Sequence, residues 1–383
     1  MLDDATERRS PAKREPATMA QMRVERLGMQ AQIDALQARQ AAMFASRSWR
    51  ITAPARGVSR SCRFLIRLVR ASLHRLKPPG FPALPRPHLP RLPGFPALHL
   101  RPVLWTFDQY PARPLRTPRP FSTPANPPSI AMVTPAYNHA HFLKATLDSV
   151  MSQNYPRLAY IVKDAGSKDG TRELLSLYGD GLRWLSEPDT GQTSAINTGF
   201  QHVSGDIMGW LNSDDLLLPG ALNYVAAFFN AHPEIDIVYG DRVIIDRDGH
   251  ETGRAVLPSH DASALRHADY VPQETMFWRR HVWEALGGLD ESFRFAMDWD
   301  FILRAQGRGF RFRHLPRFLG AFRVYPQQKT HSWTDIGAQE QTRLRETWVR
   351  PDFTVEDVNT AIKRYLTRQM LVNTAYKIGV LRR

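Results

Sequence analysis

Two neighbouring carboxylates, Asp214 and Asp215, close the sequence GWLNSDD at residues 209–215. They follow the apolar run 207–211, which has the length and composition of a buried strand. Such a pair could belong to a ligand site at the end of the strand. It could equally be a polar turn, because turns use Asn, Ser and Asp freely. These residues alone leave both interpretations open.

The surrounding sequence predicts the elements that would position these carboxylates. Strands are expected at 129–134, 158–163, 182–186 and 206–211, and helices at 140–153, 170–178, 194–203 and 218–232. This alternation predicts an α/β fold with a mainly parallel sheet that is covered on both faces. Ligands bind beyond the carboxyl ends of the strands in such sheets. Three polar clusters should therefore share one edge, namely TPAYN, DAGSKDGT and NSDD.

Seven stretches, in this order, resemble the motifs of family 2 glycosyltransferases. They are TPAYNHAHFLKATLDSVMSQNYP, YIVKDAGSKDGT, EPDTGQTSAINTGF, GDIMGWLNSDDLLLPGAL, PQETMFWRR, GGLDESFRFAMDWDFILR and FRVYPQQKT. The resemblance covers residues 129 to about 345 and implies the Rossmann-like GT-A fold. It also implies an inverting enzyme that takes its sugar from a nucleotide diphosphate. The Q-x-x-R-W motif of processive synthases does not occur, so we expect one sugar to be transferred per encounter.

The resemblance implies a set of residues that bind the sugar nucleotide. Tyr137 would stack on the base, and Asp164 would accept a hydrogen bond from the base ring, since a carboxylate only accepts. Asp169 is expected to cap the helix that begins at Gly170 rather than to touch the ligand. The full set is Pro135, Tyr137, Asn138, Asp164, Gln192, Asn197 and Asp214.

The same resemblance aligns NSDD with a metal-binding motif of the DxD type. Asp215 would be the direct ligand of Mg²⁺ or Mn²⁺, and Asp214 would face the ribose or a metal-bound water. These cations need only one or two protein carboxylates, because phosphates and water supply the other oxygens. Many relatives carry Asp where this chain has Asn212, so the metal would depend on fewer carboxylates here.

A second carboxylate pair lies in AMDWDFILR. Asp298 matches the family's general base, although a helix N-cap is the simpler alternative. Asp300 would then begin the next helix and pair with Arg304 four residues later. The acceptor side is assigned to Gln273 and Glu274. Tyr325 and His331 stay unassigned, and three tryptophans are expected to pack in the core, namely Trp210, Trp278 and Trp299.

The net charge of +14 is concentrated at one end of the chain. Residues 1–128 contain 22 Lys and Arg against 7 Asp and Glu, whereas residues 129–383 contain 29 against 30. The basic region has no regularly spaced stacking aromatics and matches no nucleic-acid reader module. We therefore expect no specific nucleic-acid partner.

The N-terminal third is predicted to be a basic helical region, 1–77, followed by a proline-rich semi-rigid linker, 78–128, with 16 prolines. Residues 21–43 fit either a short coiled coil through which the chain self-associates weakly or a solvated helix. Residues 62–77 interleave apolar residues with arginines, which suits a helix on an anionic membrane surface. The domain 129–345 would be followed by a helical tail, 346–383.

The single cysteine, Cys62, excludes an intramolecular disulfide and fits a reducing cytoplasm. No apolar run is long enough to span a membrane. The sequence thus predicts a peripheral enzyme at the inner membrane face, with a UDP- or dTDP-linked donor and a lipid-linked or surface-polysaccharide acceptor. The alternative is a non-catalytic scaffold that binds sugar nucleotides and recruits a membrane or a partner through its N-terminal arm.

Overall fold

The computed structural model describes residues 106–328 and 334–383. The predictions for 1–77, including 21–43 and 62–77, and for His331 lie outside these residues. The first half of the domain has the predicted alternation and one short additional strand, and every predicted end lies within three residues of its expected place. Its elements are β1 (Ile130–Ala136), α1 (Ala140–Met151), β2 (Leu158–Asp164), α2 (Thr171–Ser176), β3 (Arg183–Ser186), α3 (Gln192–His202), β4 (Ile207–Trp210), β5 (Leu216–Leu217) and α4 (Ala221–Ala231).

The second half mixes long strands with helices. Its elements are β6 (Ile237–Ile245), β7 (Glu251–Ala255), α5 (Ala262–His267), a 3-10 turn (Gln273–Thr275), β8 (Phe277–Arg279), α6 (Arg280–Leu286), α7 (Met297–Gly307), β9 (Phe312–Arg323), α8 (Thr334–Trp348) and α9 (Val355–Lys377). Helix α9 occupies much of the predicted helical tail. It packs on the domain, because the buried ring of Tyr365 stacks on Tyr270 with centroids 4.1 Å apart.

One sheet runs through the described residues in the order β3-β2-β1-β4-β8-β6-β9-β5, with β7 paired to β6. The pairs β3·β2, β2·β1, β1·β4 and β6·β9 are parallel, and β8, β7 and β5 pair antiparallel to their neighbours. The α/β class and the GT-A arrangement are confirmed. Because β2 and β4 flank β1, the chain leaves β1 and β4 in opposite directions and opens a crevice at their carboxyl ends.

Strand β1 is buried along its whole length because helices cover both faces of the sheet. Successive side chains of a strand point to opposite faces, so one set packs with α1 and the other with α3. The α1 side holds Ile130, Met132, Leu143 and Leu147, and the α3 side holds Ala131, Val133, Ile196 and Phe200. The packing role predicted for Trp210, Trp278 and Trp299 is confirmed, since each is at most 2% exposed.

Residues 106–128, the second part of the predicted linker, lie along the folded domain. Nδ2 of Asn223 on α4 donates to the main-chain oxygen of Phe121 at 2.8 Å. Arg113 forms an antiparallel bridge with Glu251 of β7. This part of the proline-rich stretch therefore belongs to the folded unit. No helix of the described residues has the length and apolar character needed to cross a membrane.

Candidate active site

A cavity of about 930 Å³ opens at the carboxyl ends of β1 and β4. Its size suits a small-molecule ligand. The structure brings most of the predicted site residues into its wall, although they come from distant parts of the sequence. These are Pro135, Tyr137, Gln192, Asp214, Asp215, Gln273, Glu274 and Asp298.

The two carboxylates of NSDD are held by the end of strand β9. Asp215 is 1% exposed, and its Oδ1 accepts the main-chain N–H of Arg323 at 3.0 Å. Oδ2 of Asp214 accepts the hydroxyl of Tyr325 at 2.8 Å. Beneath them, the hydroxyl of Thr146 on α1 lies 2.8 Å from the main-chain oxygen of Asp215. The loop is therefore fixed on two sides.

Asp215 has the surroundings of a cation ligand. Burial, followed by the charges of Asp214 and Glu274, raises the pKa of the Asp215 carboxyl well above its usual value. The buried guanidinium of Arg323 donates its Nε hydrogen to the main-chain oxygen of Asp214, not to a carboxylate. Buried like charges that face a cavity favour a bound cation, and their oxygens are the hard ligands that Mg²⁺ and Mn²⁺ prefer. The residues present thus fit such an ion.

Amide side chains connect this loop to the neighbouring walls. Nε2 of Gln192 donates to Oδ1 of Asn212 at 2.8 Å, and Nδ2 of Asn212 lies 3.2 Å from Oε1 of Gln273. Gln273 in turn donates to the main-chain oxygen of Trp210 at 2.9 Å. Asn212 can both accept and donate in this chain, which an Asp at this position could not do.

The loop after β1 forms part of the cavity wall. Tyr137 is 61% exposed, so its ring is free to receive a flat base, and Pro135 lies in the adjacent wall. Asn138 lies outside the cavity lining. It has φ of 52°, and its Oδ1 accepts the main-chain N–H of Lys168 at 3.0 Å. Asn138 therefore shapes the loop.

Asp164 also lies outside the lining and is fully buried. Its carboxylate accepts hydrogen bonds from the Ser167 hydroxyl, from the main-chain N–H groups of Gly166 and Ser167, and from the Ser186 hydroxyl at 2.6 Å. These bonds order the loop after β2. The geometry favours a structural role over direct contact with a base. Asp169 accepts from the main-chain N–H of Thr171, the first residue of α2, as expected of a capping side chain.

Asn197 points away from the cavity. Its Oδ1 accepts the main-chain N–H of Leu289 at 3.0 Å, and its Nδ2 donates to the main-chain oxygen of the same residue. The helical spacing explains this placement, since five residues from Gln192 rotate the side chain well away from it. Asn197 thus fastens α3 to the loop before α7.

The cavity wall also carries Asp298. Helix α7 begins at Met297 with Ala296 as its N-cap, so Asp298 is the second helical residue and not the cap. Its carboxylate accepts the main-chain N–H of Trp299 at 2.9 Å and lines the cavity. Asp300 does not begin the helix as expected, but it does pair with Arg304 at 2.7 Å.

Sequence reasoning missed two charged residues in this wall. Arg242 of β6 holds both oxygens of Glu274, with contacts of 2.8 and 2.5 Å. Asp269 precedes the PQET turn, and burial, followed by the charge of Asp298, raises its pKa well above the usual value. A charged residue inside the apolar run IVYGDRVII was a signal for Arg242, because a buried arginine needs a partner. No comparable signal marked Asp269.

A further acidic group, Asp246, Asp248 and His250, lies on the exposed turn between β6 and β7. Asp246 accepts from the main-chain N–H groups of Asp248 and His250, which accounts for the grouping as turn chemistry.

Comparison with known proteins finds similarity to glycosyltransferases. The model of the family described as "Glycosyl transferase family 2" matches residues 131–289. An uncharacterized glycosyltransferase of Mycobacterium tuberculosis is 31% identical over 184 residues, which are 46% of this chain and 69% of that protein. The O-antigen biosynthesis protein RfbC of Myxococcus xanthus is 31% identical over 233 residues, which are 57% of this chain.

This chain spans 17% of RfbC and 57% of an uncharacterized glycosyltransferase of Rickettsia prowazekii, which is 28% identical. Among solved structures, residues 1–349 of S. aureus TarS with UDP-GlcNAc give a TM-score of 0.49 at 18% identity, covering 66% of this chain and 76% of that one. The mannosyltransferase PcManGT of Pyrobaculum calidifontis with GDP-Man and Mn²⁺ gives 0.47 at 19% identity, covering 68% and 79%. By the family match and the Mycobacterium relative, the chain belongs to glycosyl transferase family 2.

Proposed function

We propose that this protein is an inverting, metal-dependent glycosyltransferase. It would move one sugar from a nucleotide diphosphate to a hydroxyl of a lipid-linked or surface-polysaccharide acceptor. The observation that carries the proposal is that Asp215 and Asp298 lie in the wall of one cavity although they are 83 positions apart. One carboxylate can serve the leaving group and the other the attacking hydroxyl.

At the leaving-group end, Asp215 would hold Mg²⁺ or Mn²⁺, with Asp214 facing the ribose or a water on the ion. Such a cation, when bound, neutralises the charge that develops on the departing diphosphate. The chain's own contribution is to keep Asp215 and Asp214 in place through Arg323 and Tyr325, before the donor arrives. Preorganisation of this kind lowers the cost of reorganisation during the reaction.

At the acceptor end, Asp298 would take the proton of the attacking hydroxyl. Inversion requires this hydroxyl to reach the anomeric carbon from the face opposite the diphosphate, so the base and the metal ligands must stand on different walls. Asp298 on α7 and Asp215 after β4 come from different elements that line the same cavity, which supports this assignment. Gln273 and Glu274 would line the acceptor's path between them.

The exposed ring of Tyr137 supports a donor with a base that can stack, and we propose a UDP- or dTDP-linked sugar. The name of the RfbC relative, an O-antigen biosynthesis protein, supports an acceptor in surface-polysaccharide synthesis. The competing function is a scaffold that binds sugar nucleotides without turnover. Retention of Asp298 beside an open cavity favours catalysis, because a scaffold has no need of a base there.

Three variants test the assignment, with donor turnover and calorimetric nucleotide binding measured for each. Asp215→Asn should weaken UDP binding in Mg²⁺ or Mn²⁺ and reduce turnover, because it removes a ligand charge. Asp298→Asn should leave UDP affinity unchanged and reduce transfer by about 10² to 10⁴ fold, the usual contribution of a general base.

Asp300→Asn is the matched control, since this carboxylate belongs to the same helix but pairs with Arg304. It should lower stability more than transfer. Undiminished turnover in chelator would exclude the metal role, and near wild-type transfer by Asp298→Asn would exclude the base. Nucleotide binding with no turnover of any donor would support the scaffold instead.

A further inference from the structure

Residues 106–120, here called the strap, cover the outer edge of strand β7. The main-chain N–H groups of Gln109 and Tyr110 donate to the oxygen of Thr252 at 2.9 and 3.2 Å. Arg113 and Glu251 exchange two main-chain hydrogen bonds, of 3.1 and 2.7 Å. Since β7 pairs with β6 on its other side, the strap satisfies an edge that would otherwise expose unpaired backbone groups.

The side chain of Glu251 anchors the strap from below. It is fully buried and accepts hydrogen bonds from the hydroxyl of Tyr110 at 2.5 Å, from Nη2 of Arg113 at 2.5 Å and from the main-chain N–H of Arg116 at 3.1 Å. Arg254 supplies two further bonds from β7 itself. Three strap residues thus converge on one carboxylate, which fixes the course of the strap.

This anchoring places Phe107 in the wall of the active-site cavity. Its ring lies 5.8 Å from that of Phe322 on β9, tilted by 43°, and its main-chain oxygen accepts the Thr252 hydroxyl at 3.1 Å. Phe322 also lines the cavity, and the guanidinium of Arg242 lies over its ring at 4.5 Å. Arg242 in turn holds Glu274.

Phe107 and Phe322 therefore stand beside the polar pair at the acceptor end. Pro135 and Tyr137 line the same cavity. Phe107 is partly exposed despite its contact with Phe322 and lines the cavity, so it is not a core side chain. An aromatic surface next to a few oriented polar groups is the usual construction of a ligand subsite.

We propose that the strap is part of the acceptor site. Phe107 and Phe322 would receive the apolar C–H face of a sugar ring of the acceptor, while Arg242 and Glu274 meet its hydroxyls. The inference rests on the proposed glycosyltransferase function and adds a specificity-determining residue from outside the family domain. Two phenyl rings give a large, rigid apolar contact at little cost in side-chain entropy.

The test uses the full-length chain and p-nitrophenyl glycosides of single hexoses and disaccharides as probes. Binding is read by saturation-transfer NMR in the presence of saturating UDP and Mg²⁺, so that turnover is not required. Phe107→Ala should weaken glycoside binding at least tenfold and leave calorimetric UDP affinity within twofold. Phe107→Tyr keeps the ring and should restore most of the binding.

Phe121→Ala is the matched control, because Phe121 packs edge-on against Tyr224 at 5.1 Å and does not line the cavity. It should lower the melting temperature without changing glycoside affinity. Equal glycoside affinity in wild type and Phe107→Ala would overturn the proposal, as would equal losses in Phe107→Ala and Phe121→Ala. Wild-type protein that binds UDP but no glycoside would overturn the subsite alone, whereas failure to bind both UDP and dTDP would overturn the proposed function as well.

Discussion

The main-chain N–H of Arg323 donates to Oδ1 of Asp215 at 3.0 Å across 108 positions of the sequence. The contact arises because β5, which follows NSDD directly, pairs antiparallel with the end of β9. The loop that follows β4 is thus held by β9, the last strand in the sequence. Its geometry depends on the whole domain being folded.

Replacing Arg323 tests how much this support contributes. Its guanidinium donates to the main-chain oxygens of Asp214, Asp246 and Arg247, at 2.7, 3.1 and 2.9 Å. Arg323→Met removes all three bonds and leaves the main-chain oxygen of the buried Asp214 without this donor, so the free energy of unfolding should fall by about 1–3 kcal/mol. UDP affinity in Mg²⁺ should fall about tenfold, equivalent to 1.4 kcal/mol of lost positioning.

Arg317→Met provides the comparison on the same strand. Arg317 lies over the ring of Tyr224 at 5.1 Å and does not line the cavity. This variant should lose stability in urea unfolding but retain UDP affinity. If both variants bound UDP as the wild type does, the support of the loop by Arg323 would have no role in nucleotide binding.

The distance in sequence between partners decides what could be predicted. The first half of the fold and the cluster around NSDD follow from local periodicity and from strand ends that share one edge, so Asp214, Asp215 and Tyr137 were placed correctly in one cavity. The pairing of β9 with β6 and β5 leaves no local signal. Arg323 was therefore missed as a support of the site.

Two predicted ligand residues show a second limit of prediction from the sequence. Asp164 and Asn197 have the right residue types, but neither lines the cavity. Asp164 accepts bonds from the loop after β2 and from Ser186, and Asn197 bonds to the main chain of Leu289. A polar side chain at a strand end can hydrogen-bond either to a ligand or to the backbone. The direction in which the helix or loop turns the side chain decides whether it binds a ligand or the backbone. Residue type alone does not predict that direction.

Asp269 should destabilise the folded protein at neutral pH. Burial, followed by the charge of Asp298, raises its pKa, while Arg242 opposes the shift. A carboxyl whose pKa is higher in the folded than in the unfolded state costs stability once the pH exceeds the unfolded value of about 3.9. Asp269→Asn removes this cost, so its melting temperature at pH 7 should exceed the wild-type value by about 2 °C or more.

The gain should shrink as the pH falls towards 4, because the unfolded chain then also holds the proton. Differential scanning calorimetry at pH 4 and pH 7 measures both values. Asp108→Asn, at an exposed aspartate of the strap, serves as the control and should show no such difference. An equal gain at both pH values would assign the effect to packing and not to charge.

Glu251 gives the opposite pH dependence. Burial opposes its ionisation, but the hydrogen bonds from Arg254, Tyr110 and Arg113 lower its pKa from 4.5 to about 2. A carboxyl with a lowered folded pKa stabilises the protein above its unfolded pKa, and this contribution is lost as the pH falls towards the folded value. Glu251→Gln should therefore reduce stability at pH 7 and flatten its decline between pH 5 and pH 2.

Urea unfolding across this range measures the effect, with Glu284→Gln at an exposed position of α6 as the comparison. The Glu251 variant should also free the strap, so limited proteolysis should cut within 106–120 faster than in the wild type. If the free energy of unfolding changed with pH in the same way in wild type and Glu251→Gln, the role of this carboxylate as the anchor would be contradicted.

The last prediction concerns the basic N-terminal region and uses the boundary that the strap defines. Residues 1–105 contain 19 Lys and Arg against 6 Asp and Glu, and 62–77 carry the interleaved apolar and arginine residues. Full-length protein should pellet with vesicles that contain phosphatidylglycerol and be released by 0.5 M salt, because exposed charges are screened within about 10 Å at 0.1 M. Protein lacking 1–105 should stay in the supernatant and bind UDP like the full chain, since it keeps Phe107 and the partners of Glu251.

Removal of 1–128 should instead lower stability and glycoside binding together, because the strap is lost. Equal pelleting of the full chain and the 1–105 deletion would show that the membrane contact, if any, lies elsewhere in the chain.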